Sequence, residues 1–151
     1  MGVIMEKLLV KKMRDDAIIP TRATDGSAGV DLYACIDAPV EIEPHKCVGI
    51  PSGIAISLPD KNCAAFVFAR SGLARKHGIA PVNAVGVIDS DYRGEIIIGL
   101  VNHFEESYVI EPGDRVAQLV IMPVFTPETE VVSELSGTVR GEGGFGSTGR
   151  K

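Results

Sequence analysis

Tryptophan is absent from these 151 residues, and rings are scarce altogether, with five Phe and three Tyr. A core without large rings has to be assembled from Val, Ile, Leu and Ala. The three cysteines, Cys35, Cys47 and Cys63, are odd in number and have no CxxC spacing. That excludes a fully paired disulfide framework and the usual zinc-ribbon or dithiol motifs, and leaves reduced, mostly buried thiols. No apolar run reaches the ~20 residues of a membrane-spanning helix. Met1–Glu6 lacks the basic start and apolar stretch of a signal peptide, and Glu6 stands where a myristoylation signal at Gly2 would need Ser or Thr. Basic residues are outnumbered, 15 Lys and Arg against 20 Asp and Glu, for a net charge of −5. A surface of that sign excludes sequence-independent nucleic-acid binding, which works by counterion release. It leaves room for a small phosphorylated ligand whose charge is offset by a divalent cation. His45, His77 and His103 show no metal-ligand spacing, and the HxE and PCxxC pattern of zinc deaminases is missing. The expectation is a cytoplasmic protein with neither a nucleic-acid nor a membrane partner.

What the chain does contain is ordinary globular composition, 45% hydrophobic and 23% charged. Its length fits one domain that buries about 70% of its unfolded surface. Seventeen Gly and nine Pro, spread along the chain, predict many turns. Strand-like runs recur between them: Lys7–Lys12, Ala28–Ala34 with Asp31 at its centre, Val40–Glu43, Gly53–Leu58 and Cys63–Phe68. Further on come Glu95–Asn102, a short run around Tyr108, and Arg115–Val124. Short β-rich runs punctuated every 8–12 residues or so indicate an all-β sandwich or jelly roll.

Four stretches break that pattern and carry the chemistry. Arg70–Gly78 has helix punctuation, with Ser71 as N-cap, Gly78 as terminator and Arg75, Lys76 and His77 in the last turn. Arg70 and the Ser71 hydroxyl at its start make a candidate anion site. Gly86–Ile96 leaves an apolar strand for a polar turn with Asp89, Asp91, Tyr92 and Arg93, which puts reactive groups at the rim of a wall. Between these, Asn83 lies among Ile79, Pro81, Val82, Val85 and Val87, as a hairpin would. Finally, Arg140–Gly149 has one apolar side chain, Phe145, in ten residues. Such a segment cannot offset its ordering entropy alone. An Arg, an aromatic ring and two hydroxyls set among glycines also suit a flap that closes over a phosphate and a base.

Together Ala28–Ala34, Ala69–Ala74, Gly86–Ile96, Arg115–Ile121 and Arg140–Gly149 resemble the five ordered motifs of the trimeric deoxyuridine triphosphate nucleotidohydrolases, or dUTPases. The resemblance spans nearly the whole chain, and its third and fifth motifs are highly specific. It implies a jelly-roll-like antiparallel β barrel with one short helix over residues 1–135, and a flexible glycine-rich arm over 136–151. It also implies a homotrimer with active sites shared between subunits. The implied reaction converts dUTP and water to dUMP and pyrophosphate by in-line attack on the α-phosphorus. Asp89 is the implied general base; Asp91, the rival on chemistry alone, takes a structural role. Arg70, Ser71, Gly72, Gln118, Arg140, Ser147 and Thr148 are implied phosphate contacts, with Gly146 beside them. Tyr92 would pack beneath the deoxyribose and leave no room for a 2′-hydroxyl. Asn83, Val87 and Ile88 would frame a uracil read by backbone groups, Ile97 would add apolar contact near the sugar, and Phe145 would stack on the base. Mg²⁺ is expected on the phosphates, with Asp31 either holding one of its waters or serving as a buried, turn-stabilising acid. Two other outcomes stay open: a dCTP deaminase of the same fold and a non-catalytic nucleotide-sensing trimer. The first needs an acid–base carboxylate beside the pyrimidine, which His77–Ile88 lacks, and the second has no use for Asp89.

Overall fold

The structure, a computed structural model, describes residues 7–144. Among them the chain forms β1 (Leu9–Lys12), β2 (Val30–Tyr33), β3 (Val40–Ile42), β4 (Cys47–Pro51), β5 (Ile54–Ser57) and β6 (Cys63–Phe68). There follow α1 (Ser71–His77), β7 (Ile79–Pro81), β8 (Gly86–Ile88), β9 (Ile97–Asn102), β10 (Tyr108–Ile110) and β11 (Arg115–Pro123). Every strand pair is antiparallel. One sheet runs β2-β11-β6-β8, a second runs β4-β9-β7, and β1-β5 and β10-β3 are two-stranded ribbons. The result is the all-β, jelly-roll-like body expected from the sequence. No helix of the described residues is long and apolar enough to cross a membrane.

The core is aliphatic, as the scarcity of rings requires. Leu32, Ile42, Ile50, Ile54, Ile79, Ile98, Leu100, Ile110, Val116 and Leu119 are wholly buried, and they come from eight different strands. Each such burial contributes about 1.5–3 kcal/mol. One polar side chain is sealed in with them. The Asn102 amide donates to Ile42 O (2.9 Å) and Glu106 O (2.7 Å), and its oxygen accepts from Phe104 N (2.9 Å). A buried amide with these partners is satisfied, and it pins the end of β9 to β3.

Two sequence expectations needed correction. Ser71 is not the N-cap: Arg70 holds that position in an extended conformation (φ −88°, ψ 128°), no side chain caps the helix, and Ser71 is its first residue. The extended course of β6 ends at Arg70, whose guanidinium is tied to β2, so the helix starts one residue earlier than expected. β4 was not foreseen, because Gly49 and Pro51 read as loop residues. Its pairing with β9, Gly49 opposite Gly99 and Pro51 opposite Ile97, makes it a strand. The helix does end as expected, with Gly78 at φ 70° returning its N–H to Ala74 O.

Register decides what reaches which end of the main sheet. Gln118 stands opposite both Asp31 and Phe68, which sets one group of polar residues at the end of β6 that leads into α1. Ala65 faces Ile88, so Asp89 emerges past the other end of β6, beside Ala64.

Candidate active site

At the Asp89 end a cleft of ≈ 270 Å³ is lined by Val67, Pro81, Asn83, Gly86–Asp89, Tyr92 and Glu95–Gly99. It lies where the two larger sheets meet, because β8 is the last strand of one and β7 the last strand of the other. Among the described residues the outer edge of β8 has no strand partner, and Gly86, Val87 and Ile88 of this strand line the cleft. The hairpin at 82–85 joins the two sheets. Its turn holds Ala84 at φ 62°, a left-handed conformation that a non-glycine residue adopts only when its surroundings enforce it. Val85 N donates to Asn83 O at 2.7 Å inside it.

The cleft is apolar on its walls and acidic at its rim. Val87 is 61% exposed and Ile97 54%, although both are aliphatic strand residues, while Ile88 between strand and turn is buried. Apolar side chains left open around a groove are the usual lining of a small-molecule site. Asp89 opens the turn, is exposed, and its backbone carbonyl accepts from Tyr92 N at 3.2 Å. Tyr92 is 46% exposed and donates its phenolic O–H to Glu95 O at 3.0 Å. Arg93 is spent on the turn itself, donating to Ser90 O (2.8 Å) and Tyr92 O (2.9 Å), so it does not neutralise Asp89. The foot of the turn is bolted down: Glu95 Oε1 accepts from Gly53 N at 2.8 Å, and Ile96 exchanges backbone bonds with Ser52 and Ile54. Gly53 sits at φ 69°, where a Cβ would press on Cys35 and Ala17, so only glycine fits the receiving corner.

A second, polar group assembles at the other end of β6. Arg70 Nε donates to Asp31 Oδ1 at 3.1 Å, Arg115 Nη1 donates to Asp31 Oδ2 at 3.2 Å, and Arg70 Nη1 also donates to Arg115 O at 3.0 Å. Asp31 is only 12% exposed, so two guanidiniums share one largely buried carboxylate and an excess positive charge remains. Gln118 Nε2 donates to Ala69 O at 2.9 Å, which fixes the strand-to-helix junction, and Ser71 and Gly72 stand exposed just beyond. A cleft of ≈ 300 Å³ borders this group, with Arg70, Gly72, Lys76, His77, Tyr108, Asp114 and Arg115 among its walls.

The structure therefore gathers Asn83, Val87, Ile88, Asp89, Tyr92 and Ile97 in one cleft and Asp31, Arg70, Ser71, Gly72 and Gln118 around another place. It does not bring the two together within one chain. From Ala64, beside Asp89, to Arg70 the strand covers six residues, roughly 20 Å. Arg140 joins neither group; it is exposed and bonds Gly143 O at 2.7 Å within its own turn. Phe145, Gly146, Ser147 and Thr148 lie outside the described residues. Residues 124–144 form neither strand nor helix and are nearly all exposed, Phe125, Val131 and Leu135 included. Sequence reasoning missed Glu95 and Arg115 as parts of these sites. An acid opening an apolar strand was the one available signal for Glu95.

No group of three or more His, Cys, Asp or Glu among the described residues could hold a metal ion. A cation would fit here only if a ligand supplied most of its oxygens, as Mg²⁺ bound to phosphates does.

Fold and cleft together define an all-β protein with a groove of ≈ 270 Å³, flanked by exposed Val87 and Ile97, that ends on an exposed acid. The family model described as dUTPase matches residues 15–149. Similar curated proteins are the deoxyuridine 5'-triphosphate nucleotidohydrolase of Desulfitobacterium hafniense (strain DSM 10664 / DCB-2), 55% identical over 87% of each chain, and that of Legionella pneumophila (strain Paris), 49% identical over 98% of this chain and 97% of the other. Among solved structures, the Staphylococcus bacteriophage 80alpha dUTPase with dUPNHPP superposes with a TM-score of 0.87 at 31% identity, covering 95% of this chain and 99% of that one. A variant dUTPase from phage phi11 of S. aureus, described with a structural Mg(II) ion, gives 0.77 at 26% identity over 87% of this chain and 99% of that one. The chain belongs to the dUTPase family.

Proposed function

We propose that this chain hydrolyses dUTP to dUMP and pyrophosphate, with Asp89 turning a water onto the α-phosphorus. The observation that carries this is the position of Asp89: exposed, without a cationic partner among the described residues, and at the rim of a groove beside an open strand edge. The edge of β8 and the 82–85 hairpin offer backbone donors and acceptors to a uracil, with Asn83, Val87 and Ile88 as its frame. Tyr92 lies under the deoxyribose and Ile97 beside it. Asp89 accepts a proton from the water as it attacks, and the pyrophosphate leaves on the opposite side.

The triphosphate is held by Arg70, Ser71, Gly72 and Gln118 of a second copy. A single chain separates Asp89 from Arg70 by more than a triphosphate spans, so a shared site in a homotrimer reconciles the two groups. Asp31 serves that site by aligning Arg70, whose planar fork suits phosphate oxygens. Residues 136–151 form an arm distinct from the 1–135 body. From it Arg140, Ser147 and Thr148 reach the phosphates, Gly146 allows close approach, and Phe145 covers the base. Mg²⁺ on the phosphates would neutralise their charge; a water of its shell could reach Asp31 only through the lone pairs left by the two guanidiniums. The test is incubation with dUTP, dCTP, dTTP and UTP, assayed separately for pyrophosphate and ammonia. Pyrophosphate from dUTP alone is expected, whereas ammonia from dCTP, or no product at all, would overturn the reading.

A further inference from the structure

Gly94 stands two residues after Tyr92, outside the left-handed region where glycine is required for conformational reasons. Space is what demands it. A Cβ built there would meet the Tyr92 hydroxyl and lie 2.6 Å from Cζ and 3.1 Å from Cε2, well inside the ~3.5–4.0 Å at which carbon atoms rest against each other. The ring folds back over the bare backbone of Gly94, and its hydroxyl donates to the carbonyl of the next residue, Glu95, at 3.0 Å. Glu95 is in turn anchored to Gly53 across 42 residues. The ring is thus set down on a fixed shelf, although it is 46% exposed and has room to swing outward.

We infer that Gly94 is a specificity-determining residue: by having no side chain it sets the depth of the Tyr92 ring in the cleft, and that depth excludes nucleotides carrying a 2′-hydroxyl. The inference rests on the reading of Tyr92 as the sugar platform. An added methyl at position 94 pushes the ring off its shelf, and the exposed ring yields before the chain does. Packing alone rejects an extra hydroxyl by a factor on the order of 10², so misplacing the ring forfeits a large part of that.

The experiment is a double-mutant cycle with Gly94→Ala, Tyr92→Ala and the pair, reading kcat/KM for dUTP and for UTP together with the melting temperature. Gly94→Ala is expected to lower the dUTP-to-UTP ratio by about tenfold or more with its melting temperature nearly unchanged, and to add nothing in the Tyr92→Ala background. Equal loss on both nucleotides, an independent effect in the double variant, or a Gly94→Ala protein that fails to fold overturns the inference while leaving the platform intact. If Tyr92→Ala itself leaves the ratio unchanged, the platform reading fails, and the inference with it.

Discussion

Arg70 donates its Nε–H to Asp31 at 3.1 Å, across 39 residues of sequence, and the same carboxylate accepts from Arg115 at 3.2 Å. The carboxylate thereby sets the direction of the guanidinium that is proposed to meet the phosphates. Asp31→Asn leaves two cations facing a neutral amide in a half-buried place. Raised KM for dUTP, about tenfold, with kcat changed less, is the expected steady-state result; stability should fall by about 1–3 kcal/mol. An unchanged KM would show that Arg70 needs no aligning partner.

Glu95 ties the Asp89 turn to the β4–β5 corner through Gly53 N. Glu95→Ala leaves that buried-side N–H without a partner and costs about 1–3 kcal/mol. For a chain of this size each kcal/mol lowers the melting temperature by about 2–4 °C. Glu95→Gln keeps an acceptor oxygen and should recover most of the loss in a thermal melt.

Burial raises the pKa of the Cys35 thiol; Arg14 nearby opposes the shift, and Asp16 adds to it. A group whose folded pKa is raised contributes stability that is complete below its unfolded value and is lost as pH rises through the folded one. Denaturant midpoints measured from pH 8 upward should therefore fall, and Cys35→Ala should flatten that fall. The lower baseline of the variant reflects lost packing against Ala17 and Gly53 and is a separate effect.

Much of the body was legible in the sequence because its signals are local. Cys63–Phe68 is a strand with the bounds its apolar run suggested, and Gly78 ends the helix as a glycine should. β4 was hidden because its pairing partner lies some fifty residues away, and long-range pairing overrides the turn propensity of Gly49 and Pro51. The one-residue error at Ser71 has the same origin, in the hold that Asp31 exerts on Arg70. Candidate site residues could be read one by one from their motifs. Their division between two clefts could not, since it follows from which residue of β8 faces which residue of β6. Nor could the seat of Tyr92 on Gly94, which is a matter of ångströms rather than of residue type.

Truncation before Arg140 removes residues that, as far as they are described, bond only within their own turn. The proposed homotrimer should survive in light scattering, while turnover drops by about 10² or more for want of the groups proposed to close over the substrate. Dissociation on truncation would make the arm a structural element instead.

Asp89→Asn tests the central claim most directly. The exposed side chain makes no hydrogen bond or ion pair among the described residues, so the variant should fold and bind dUPNHPP with an affinity close to that of the unmodified chain. Pyrophosphate release from dUTP should fall by about 10²–10⁴, because an amide cannot take the proton of the attacking water. Release at the normal rate would contradict the account.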